Sequence, residues 1–288
     1  MKISDYWRLT KPRVTFAIFL LFILAVLAGA GSSSSYEIQT WKLSLGSVIV
    51  IASVAGSNAL NNRFDFDIDK KMNRTKRREI PSGKISLFDA QTFGFTIIAL
   101  SIFLALVLNY YFLLFLIIGL TSYLLLYTIT LKRRNILNVF STGPAIASPV
   151  WIGWIIGNGY FDFTGLLTGA LVMVWGPLHL WSLAAVYSED YRKASIPMLT
   201  SIISPKKSDW YLFLIAILMS AASFSIYFLG YYGIIYLIGL TLTNCVLLTI
   251  TAVNAIKPSG RYNWLRYKFS APYMVLVLLF AALDRIFN

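Results

Sequence analysis

Residues 14–31 read VTFAIFLLFILAVLAGAG and contain no charged side chain. A bilayer-spanning helix needs about 20 mostly apolar residues, so this run is long enough to cross a membrane. Eight further runs of similar length follow it. We therefore predict nine transmembrane helices, at residues 14–31, 43–62, 90–108, 111–131, 136–157, 164–187, 210–229, 232–255 and 270–287.

The first run has an alternative interpretation as a cleaved signal peptide, because it follows basic residues and ends in the small residues Gly29, Ala30 and Gly31. A retained span is the stronger interpretation. Eight more spans follow, and Asp5 and Trp7 are unusual in the polar segment of a signal peptide.

The composition points to the same class of protein. Of the 288 residues, 58% are hydrophobic and 13% are charged. A soluble domain is nearer half apolar and a quarter charged. The composition excludes a disordered chain, a fibrous repeat and an ordinary soluble enzyme. We predict an all-α, polytopic protein of the lipid bilayer, with residues 1–288 forming one domain.

The basic residues give the orientation. The 25 Lys and Arg residues produce a net charge of +13, and all except Lys42 and Arg285 fall on one side of the nine predicted spans. Because cytoplasmic loops carry an excess of Lys and Arg, this side is predicted to be cytoplasmic. We expect a multi-pass protein of the cell membrane, with its N-terminus inside and its C-terminus outside. The charge therefore gives no indication of nucleic-acid binding.

Two residue types are almost missing. Cys245 is the only cysteine and His179 is the only histidine. An intrachain disulfide and a metal site built from several cysteines or histidines are both excluded.

The strongest chemical signal is the stretch NALNNRFDFDIDKKMNRTKRR, residues 58–78. If the second span continues as a helix, Asn61, Asp65 and Asp69 share one face and Asp67 points away from it. Oxygen ligands at the mouth of a membrane cavity are typical of Mg²⁺. The alternatives are a solvated loop of mixed charge and a calcium site. Three aspartates at alternate positions repel one another unless a cation lies nearby, and the EF-hand glycine and distal glutamate are missing.

Basic residues follow this stretch and recur after the fourth span. Arg74 and Arg78, with Lys76 and Arg77, are candidates for binding a diphosphate. Lys132 and Arg133 either bind phosphate oxygens or only mark the cytoplasmic end of the fourth span.

A second candidate site lies at the end of the sixth span. In a continuous helix, Trp175, His179 and Asp190 fall on roughly one face, with Asp190 at the cytoplasmic end and His179 deeper. An ionisable residue within a membrane is a functional candidate by default, although a hydrogen-bonded packing role is the open alternative for His179. Trp175 on the same face offers a surface on which a flat ring can stack.

Together these features suit metal-assisted departure of diphosphate from an allylic lipid chain. The bundle would shield the resulting carbocation from water, and aromatic faces would stabilise it.

The chain resembles the UbiA-type superfamily of intramembrane prenyltransferases, and within it the haem-farnesylating branch. The matching segments are Asp5-Tyr6 with Leu9-Thr10-Lys11-Pro12-Arg13, Asn61-x3-Asp65-x3-Asp69, Tyr127-Thr128 with Leu131-Lys132-Arg133, Pro149 with Gly153-Trp154, His179-x-Trp181, Asp190-Tyr191 and Ile196-Pro197-Met198-Leu199.

The resemblance implies nine helices around a central cavity open to the cytoplasm. It implies Mg²⁺ held by Asn61, Asp65 and Asp69 together with farnesyl diphosphate, and Asp190 at the second acidic site. It implies farnesyl transfer to a vinyl group of haem B, giving haem O, and assembly partners of haem-copper oxidases. The alternatives are a related enzyme acting on a quinone precursor or a glycerol-phosphate lipid, and a transporter or lipid-binding protein without catalysis.

Overall fold

The computed structural model describes residues 2–30 and 38–287, and within them all regular secondary structure is helical. In chain order the helices are α1 (Ile3–Leu9), α2 (Pro12–Ala30), α3 (Thr40–Phe64), α4 (Phe66–Lys71), α5 (Leu87–Leu108), α6 (Tyr110–Leu120), α7 (Gly143–Asn158), α8 (Phe163–Val186), α9 (Ser188–Lys193), α10 (Leu199–Ile202), α11 (Pro205–Phe228), α12 (Ile234–Ile256) and α13 (Gly260–Phe287). A π-helix, Thr121–Leu131, continues α6, and a 3₁₀ segment, Ile136–Thr142, leads into α7.

Nine of these helices in the described chain are long and apolar enough to span a membrane, which is the expected number. They are α2, α3, α5, α6 with the π-helix, α7 with the 3₁₀ segment, α8, α11, α12 and α13. The protein is therefore a multi-pass membrane protein. Large apolar side chains on the outer faces of the spans are exposed, as expected for surfaces that face lipid.

Two spans begin well before the start that the apolar runs suggest. Helix α11 begins at Pro205 rather than 210, and α13 begins at Gly260 rather than 270. The extra turns contain charged residues that pair inside the protein: Arg266 is fully buried and donates a 2.8 Å hydrogen bond to Asp209. A count of apolar residues ends a span at its first polar turn, even where that turn is buried and paired with another helix, as these two are. The end assigned to the first span, Gly31, lies outside the described residues.

Side-chain caps explain several helix starts. Ser86 Oγ accepts a hydrogen bond from the backbone N–H of Asp89 at 3.0 Å, and Asp162 Oδ1 accepts one from Gly165 at 2.8 Å. Each satisfies a backbone donor that the first helical turn leaves unpaired. Asn109 caps α6 in the same way and is the single residue between α5 and α6, so these two spans form a tight hairpin.

The nine spans form a ring in which each contacts the next, and the last, α13, returns to contact the first, α2. The most extensive contacts across the ring join α2 with α7 and α8 with α13, and α3 also contacts α7 and the fourth span. The helices α2, α7, α8 and α13 therefore form the inner part of the bundle. Helices α3, α5 and α6 flank it on one side, and α11 and α12 on the other.

Glycines permit the close crossing of α2 and α7. A Cβ atom on Gly157 would lie 2.0 Å from the carbonyl oxygen of Val26, and one on Gly153 would lie 2.4 Å from that of Phe22. Small residues are the usual means by which membrane helices bring their backbones together.

The ends of the bundle differ in character. The helices α1, α4, α9 and α10 and the connection 72–86 all lie at the end where α2 begins and α3 finishes. We call this the basic end, because the predicted basic loops lie there. At the opposite end, Asp284 accepts hydrogen bonds from the backbone N–H groups of Gly233, Ile235 and Tyr236, so α13 caps the start of α12.

Candidate active site at the basic end

Asn61, Asp65 and Asp69 lie on one buried side of the α3–α4 junction. Helix α3 ends at Phe64, but the backbone N–H of Asp65 still bonds to the carbonyl of Asn61 at 2.9 Å, and Asp69 bonds to Asp65 at 2.7 Å. The four-residue spacing is therefore kept through the junction. The three side chains are buried, whereas the side chain of Asp67 is 55% exposed. The face expected from the sequence is present.

Each aspartate of the run contacts a different basic side chain. Lys132 Nζ contacts Asp65 Oδ2, and Arg78 bonds to both oxygens of Asp69 at 2.8 and 3.1 Å. These pairs relieve the repulsion among the aspartates that the sequence pattern implies. Two of the four expected diphosphate-binding residues, Lys132 and Arg78, therefore lie directly beside the acidic residues.

The pair between Asp67 and Arg133 is of a different kind. The Arg133 guanidinium donates two 2.7 Å hydrogen bonds to the Asp67 carboxylate and a third, of 2.9 Å, to the carbonyl of Phe64. The hydrogen bond from Arg133 holds the pKa of Asp67 below its usual value, and that of Arg133 is raised in turn. Both side chains are well exposed, so this pair adds little stability and mainly ties α4 to the end of the π-helix.

Lys11 belongs to the site, although the sequence analysis gave it no role. Its Nζ donates a 2.8 Å hydrogen bond to Asn61 Oδ1. Burial, followed by the nearby Arg78, lowers the pKa of Lys11 well below its usual value. The backbone of Lys11 is left-handed, with φ +52°. The Lys11-Pro12 pair before the first span was the available signal in the sequence. The direction of the Lys11 side chain could not be read from it, because that direction depends on the left-handed backbone.

The turn that carries Lys11 is held by two more asparagines of α3. Asn62 donates to the carbonyl of Leu9 at 3.0 Å, and Asn58 donates to the carbonyl of Thr10 at 3.1 Å. The asparagine-rich end of α3 therefore binds the chain between α1 and α2 as well as supplying a candidate ligand.

Asp190 joins the first site through the backbone. Its Oδ2 accepts a 2.9 Å hydrogen bond from the N–H of Arg74, which lies 116 positions earlier in the chain. The Arg74 side chain is exposed, and its guanidinium lies 5.3 Å from the ring centre of Tyr187. The connection 72–86 thus bridges the two acidic segments, and all four expected basic residues lie at this end of the bundle.

The helix that was expected to run continuously from Trp175 to Asp190 is interrupted. Helix α8 ends at Val186, Tyr187 departs from helical geometry with φ −113° and ψ 32°, and Asp190 lies in the separate helix α9. Counting 100° per residue across this break therefore gives no valid direction for Asp190.

Trp175 and His179 do lie together within α8. Their rings stack with centres 4.9 Å apart. Both contact α13: Trp175 Nε1 donates to the carbonyl of Ser270 at 2.6 Å, and His179 Nδ1 lies 2.8 Å from Ser270 Oγ. The ring of Tyr267 also packs near the histidine, with ring centres 5.6 Å apart. Ser270 therefore orients the His179 ring, which is the arrangement needed for either a packing or a ligating role.

A largely apolar cavity of about 120 Å³ begins one helical turn below Asn61. It lies between α2, α3, α6 and α7, with Asn58 and Tyr123 among its lining residues. Its remaining lining is mostly aliphatic or small. A chain bound here would extend from the acidic residues into the bundle.

The donor chemistry fits Mg²⁺. In the described part of the chain, no three His, Cys, Asp or Glu side chains form a metal-binding group. Asn61, Asp65 and Asp69 nevertheless supply the hard oxygens that Mg²⁺ prefers. Asp65 Oδ1 is buried and accepts no hydrogen bond from the described residues. A buried carboxylate oxygen without a donor is costly, which favours its use by a cation.

The model of the UbiA prenyltransferase family matches residues 16–280 of the chain. This chain belongs to the UbiA prenyltransferase family. It is therefore a prenyltransferase, and the acidic and basic residues described above lie within the part of the chain that this UbiA family model covers.

Curated relatives are similar to this protein over almost its whole length. Protoheme IX farnesyltransferase 1 of Cenarchaeum symbiosum is 33% identical, over 100% of this chain and 98% of the relative. Protoheme IX farnesyltransferase of Desulforudis audaxviator is 32% identical, over 97% of this chain and 87% of the relative.

Solved structures share the fold. A digeranylgeranylglyceryl phosphate synthase superposes with a TM-score of 0.80 at 22% identity, covering 99% of this chain and 98% of that one. A UbiA homologue from Archaeoglobus fulgidus bound to GPP and Mg²⁺ superposes with a TM-score of 0.68 at 16% identity, covering 96% of this chain and 99% of that one.

Proposed function

We propose that this chain transfers a farnesyl group from farnesyl diphosphate to a vinyl group of haem B, giving haem O and diphosphate. The hydrogen bond between Arg74 and Asp190 carries the proposal, because it brings the two acidic segments to one end of the bundle. The haem-farnesylating relatives, which align over nearly the full chain, support the choice of acceptor.

Diphosphate binding is assigned to the basic side chains beside the aspartates. Lys132 and Arg78 are already held next to Asp65 and Asp69, and Arg74 is exposed at the same end. Arg133 is the fourth candidate, and its guanidinium is engaged by Asp67. Asn61, Asp65, Asp69 and Asp190 are the residues that would hold Mg²⁺. When bound, Mg²⁺ would neutralise the charge that develops on the departing diphosphate.

The reaction balances without any further cofactor. The C–O bond of the allylic diphosphate breaks, and its electron pair leaves with diphosphate. The allylic carbon then bonds to the terminal vinyl carbon of the porphyrin. Water then bonds to the cation left on the inner vinyl carbon and releases one proton, which leaves a hydroxyl group on that carbon.

The cavity below Asn61 suits the farnesyl chain. Its largely apolar lining would keep water away from a prenyl chain bound there, and Tyr123 adds an aromatic face. Exclusion of water protects an allylic cation from premature hydrolysis.

The acceptor is assigned to the α8–α13 interface. His179, held by Ser270 through Nδ1, keeps Nε2 for the acceptor. That nitrogen would ligate the haem iron or handle the proton near the vinyl carbon, and the neighbouring Trp175 would stack on the porphyrin.

The basic end is assigned to the cytoplasm. The N-terminus would then be cytoplasmic, the C-terminus outside, and the protein a component of the cell membrane. A product of this kind would be passed to assembly partners of haem-copper oxidases.

The test is incubation of the purified protein with farnesyl diphosphate, Mg²⁺ and haem B, followed by mass spectrometry of the pigment. We expect a farnesylated, hydrated haem, and none when EDTA replaces Mg²⁺. An aromatic quinone precursor and a glycerol-phosphate lipid serve as competing acceptors. Prenylation of either of these, with haem B unchanged, would contradict the proposed acceptor.

A further inference from the structure

The second half of the fourth span, which leads to the basic end, is a π-helix rather than an α-helix. The backbone N–H of Lys132 bonds to the carbonyl of Tyr127 at 2.9 Å, a spacing of five residues. The hydroxyls of Thr128 and Thr130 bond to the carbonyls five positions earlier, at 2.8 and 2.7 Å. The π-helical segment covers Thr121–Leu131, whereas most π-helices are single turns and many of those lie at functional sites.

This register brings three residues to one face. Tyr123, Thr128 and Lys132 are separated by five and four positions. In an α-helix, at about 100° per residue, Thr128 and Lys132 would lie about 140° and 180° away from Tyr123. In a π-helix of about 4.4 residues per turn, both lie within about 50° of it.

The opposing residues on α3 follow ordinary α-helical spacing. Tyr123 OH lies 3.5 Å from Asn58 Oδ1, Asn61 Nδ2 donates to Thr128 Oγ1 at 3.1 Å, and Lys132 contacts Asp65. Three successive contacts therefore join a π-helical face to an α-helical face. An α-helical register in the fourth span would keep at most part of this set.

Thr128, together with Asp65 and Lys11, fixes which way the Asn61 amide faces. The Thr128 hydroxyl gives its proton to the Tyr123 carbonyl and accepts from Asn61 Nδ2. The second amide hydrogen of Asn61 is directed to Asp65 Oδ2 at 2.9 Å. The amide nitrogen is thereby fully used, and Oδ1 faces Lys11.

We propose that Thr128, presented by the π-helical register, is a positioning residue that fixes the Asn61 amide nitrogen, so that Oδ1, which accepts one hydrogen bond from Lys11, keeps its second lone pair for the metal–diphosphate substrate. The inference rests on the proposed function, because it assumes that Asn61 is a ligand. Groups that orient metal ligands typically change metal affinity or activity by about 10–100-fold when they are removed.

The chain provides a matched control. Thr130 makes the same five-residue hydroxyl contact within the π-helix but is exposed and contacts α3 through no hydrogen bond in the described chain. Thr130→Val therefore removes the intrahelical bond alone. Thr128→Val removes both the hydrogen bond to the Tyr123 carbonyl and the contact to Asn61. Thr128→Ser keeps the hydroxyl and therefore both contacts.

The experiment measures Mn²⁺ binding by electron paramagnetic resonance, in the presence of inorganic diphosphate, for the wild type and all three variants. Melting temperatures in detergent and the Mg²⁺ concentration for half-maximal turnover are recorded beside it. We expect Thr128→Val to weaken Mn²⁺ binding at least about 10-fold, and Thr128→Ser and Thr130→Val to stay within about threefold of the wild type. Thr128→Ala gives the same comparison if the valine variant does not fold.

Equal Mn²⁺ affinity in the Thr128→Val and Thr130→Val variants would overturn the positioning role and leave the proposed function intact. Failure of the wild type itself to bind Mn²⁺ with diphosphate would overturn the metal-dependent function, and this inference with it.

Discussion

Lys11 reaches Asn61 Oδ1 at 2.8 Å from a left-handed backbone position, at φ +52°. A non-glycine residue in that region is strained by about 1–3 kcal/mol and persists only where its surroundings impose it. Asn58 and Asn62 impose it here, by binding the carbonyls of Thr10 and Leu9. The turn is thus held in the conformation that aims an ammonium group at the acidic residues.

Replacing Lys11 with glycine should separate strain from charge. Glycine adopts positive φ freely, so Lys11→Gly should leave the melting temperature unchanged or higher. Loss of the ammonium should raise the KM for farnesyl diphosphate, about 10-fold for one charge-assisted contact. Ser195, at φ +56° and exposed, provides the matched control. Ser195→Gly should neither lower the melting temperature nor raise the KM. A normal KM in Lys11→Gly would remove Lys11 from the site.

The three aspartates should differ in their importance for turnover. Asp65→Asn and Asp69→Asn each remove a buried carboxylate of the proposed magnesium site, and we expect turnover to fall at least about 100-fold. Asp67→Asn loses only an exposed pair with Arg133 and should change turnover by less than about threefold. Steady-state rates, with a melting curve for each variant, test this order. A larger loss for Asp67→Asn would contradict the assignment of the buried face.

The sequence was enough to predict the number of spans and the buried face of Asn61, Asp65 and Asp69. The number of spans follows from the length of the apolar runs, and the buried face follows from the helical period, which the backbone keeps past the end of α3. The break at Tyr187 was not predictable, because no proline or glycine marks it. Lys11, Thr128 and the Arg74–Asp190 contact were missed for a different reason. Each depends on a backbone conformation or a long-range pairing that hydropathy and spacing do not encode.

His179 should contact the acceptor. In His179→Ala we expect a changed absorption spectrum of bound haem B and weaker haem affinity, because the imidazole nitrogen that Ser270 does not bind is lost. Ser270→Ala keeps the imidazole and should alter the spectrum less. Haem titration followed by absorption, with turnover measured beside it, makes the comparison. Identical spectra, affinities and rates in His179→Ala and the wild type would reduce His179 to packing.

The crossing of α2 and α7 should tolerate no added methyl group. Gly157→Ala places a Cβ 2.0 Å from the Val26 carbonyl, so the two backbones must separate. Overpacking of this kind costs about 1–3 kcal/mol. Gly260→Ala, where no atom lies within 4 Å of the added Cβ, is the control. Thermal unfolding in detergent should show a clear drop for the first variant only. Equal melting temperatures would mean that the crossing is looser than described.

The orientation can be tested with single cysteines in a Cys245→Ser background, since Cys245 is exposed. Lys84 and Tyr160 are exposed at opposite ends of the bundle. A membrane-impermeant thiol reagent added to intact cells should label Tyr160→Cys and should reach Lys84→Cys only after the membrane is opened. Labelling of both positions from the outside would refute the arrangement.

The buried pair between Arg266 and Asp209 links two helices that are made at different times. Asp209 enters the bundle with α11, and its partner follows 57 residues later in α13. Before α13 is made, Asp209 can accept a hydrogen bond from Asn254 of α12, but its counter-charge Arg266 is missing. A chain that stops before Gly260 would leave a fully buried carboxylate without its counter-charge, a costly defect. Completion of the final helix therefore serves as a check on assembly: the buried charge of Asp209 is balanced only when α13 is in place.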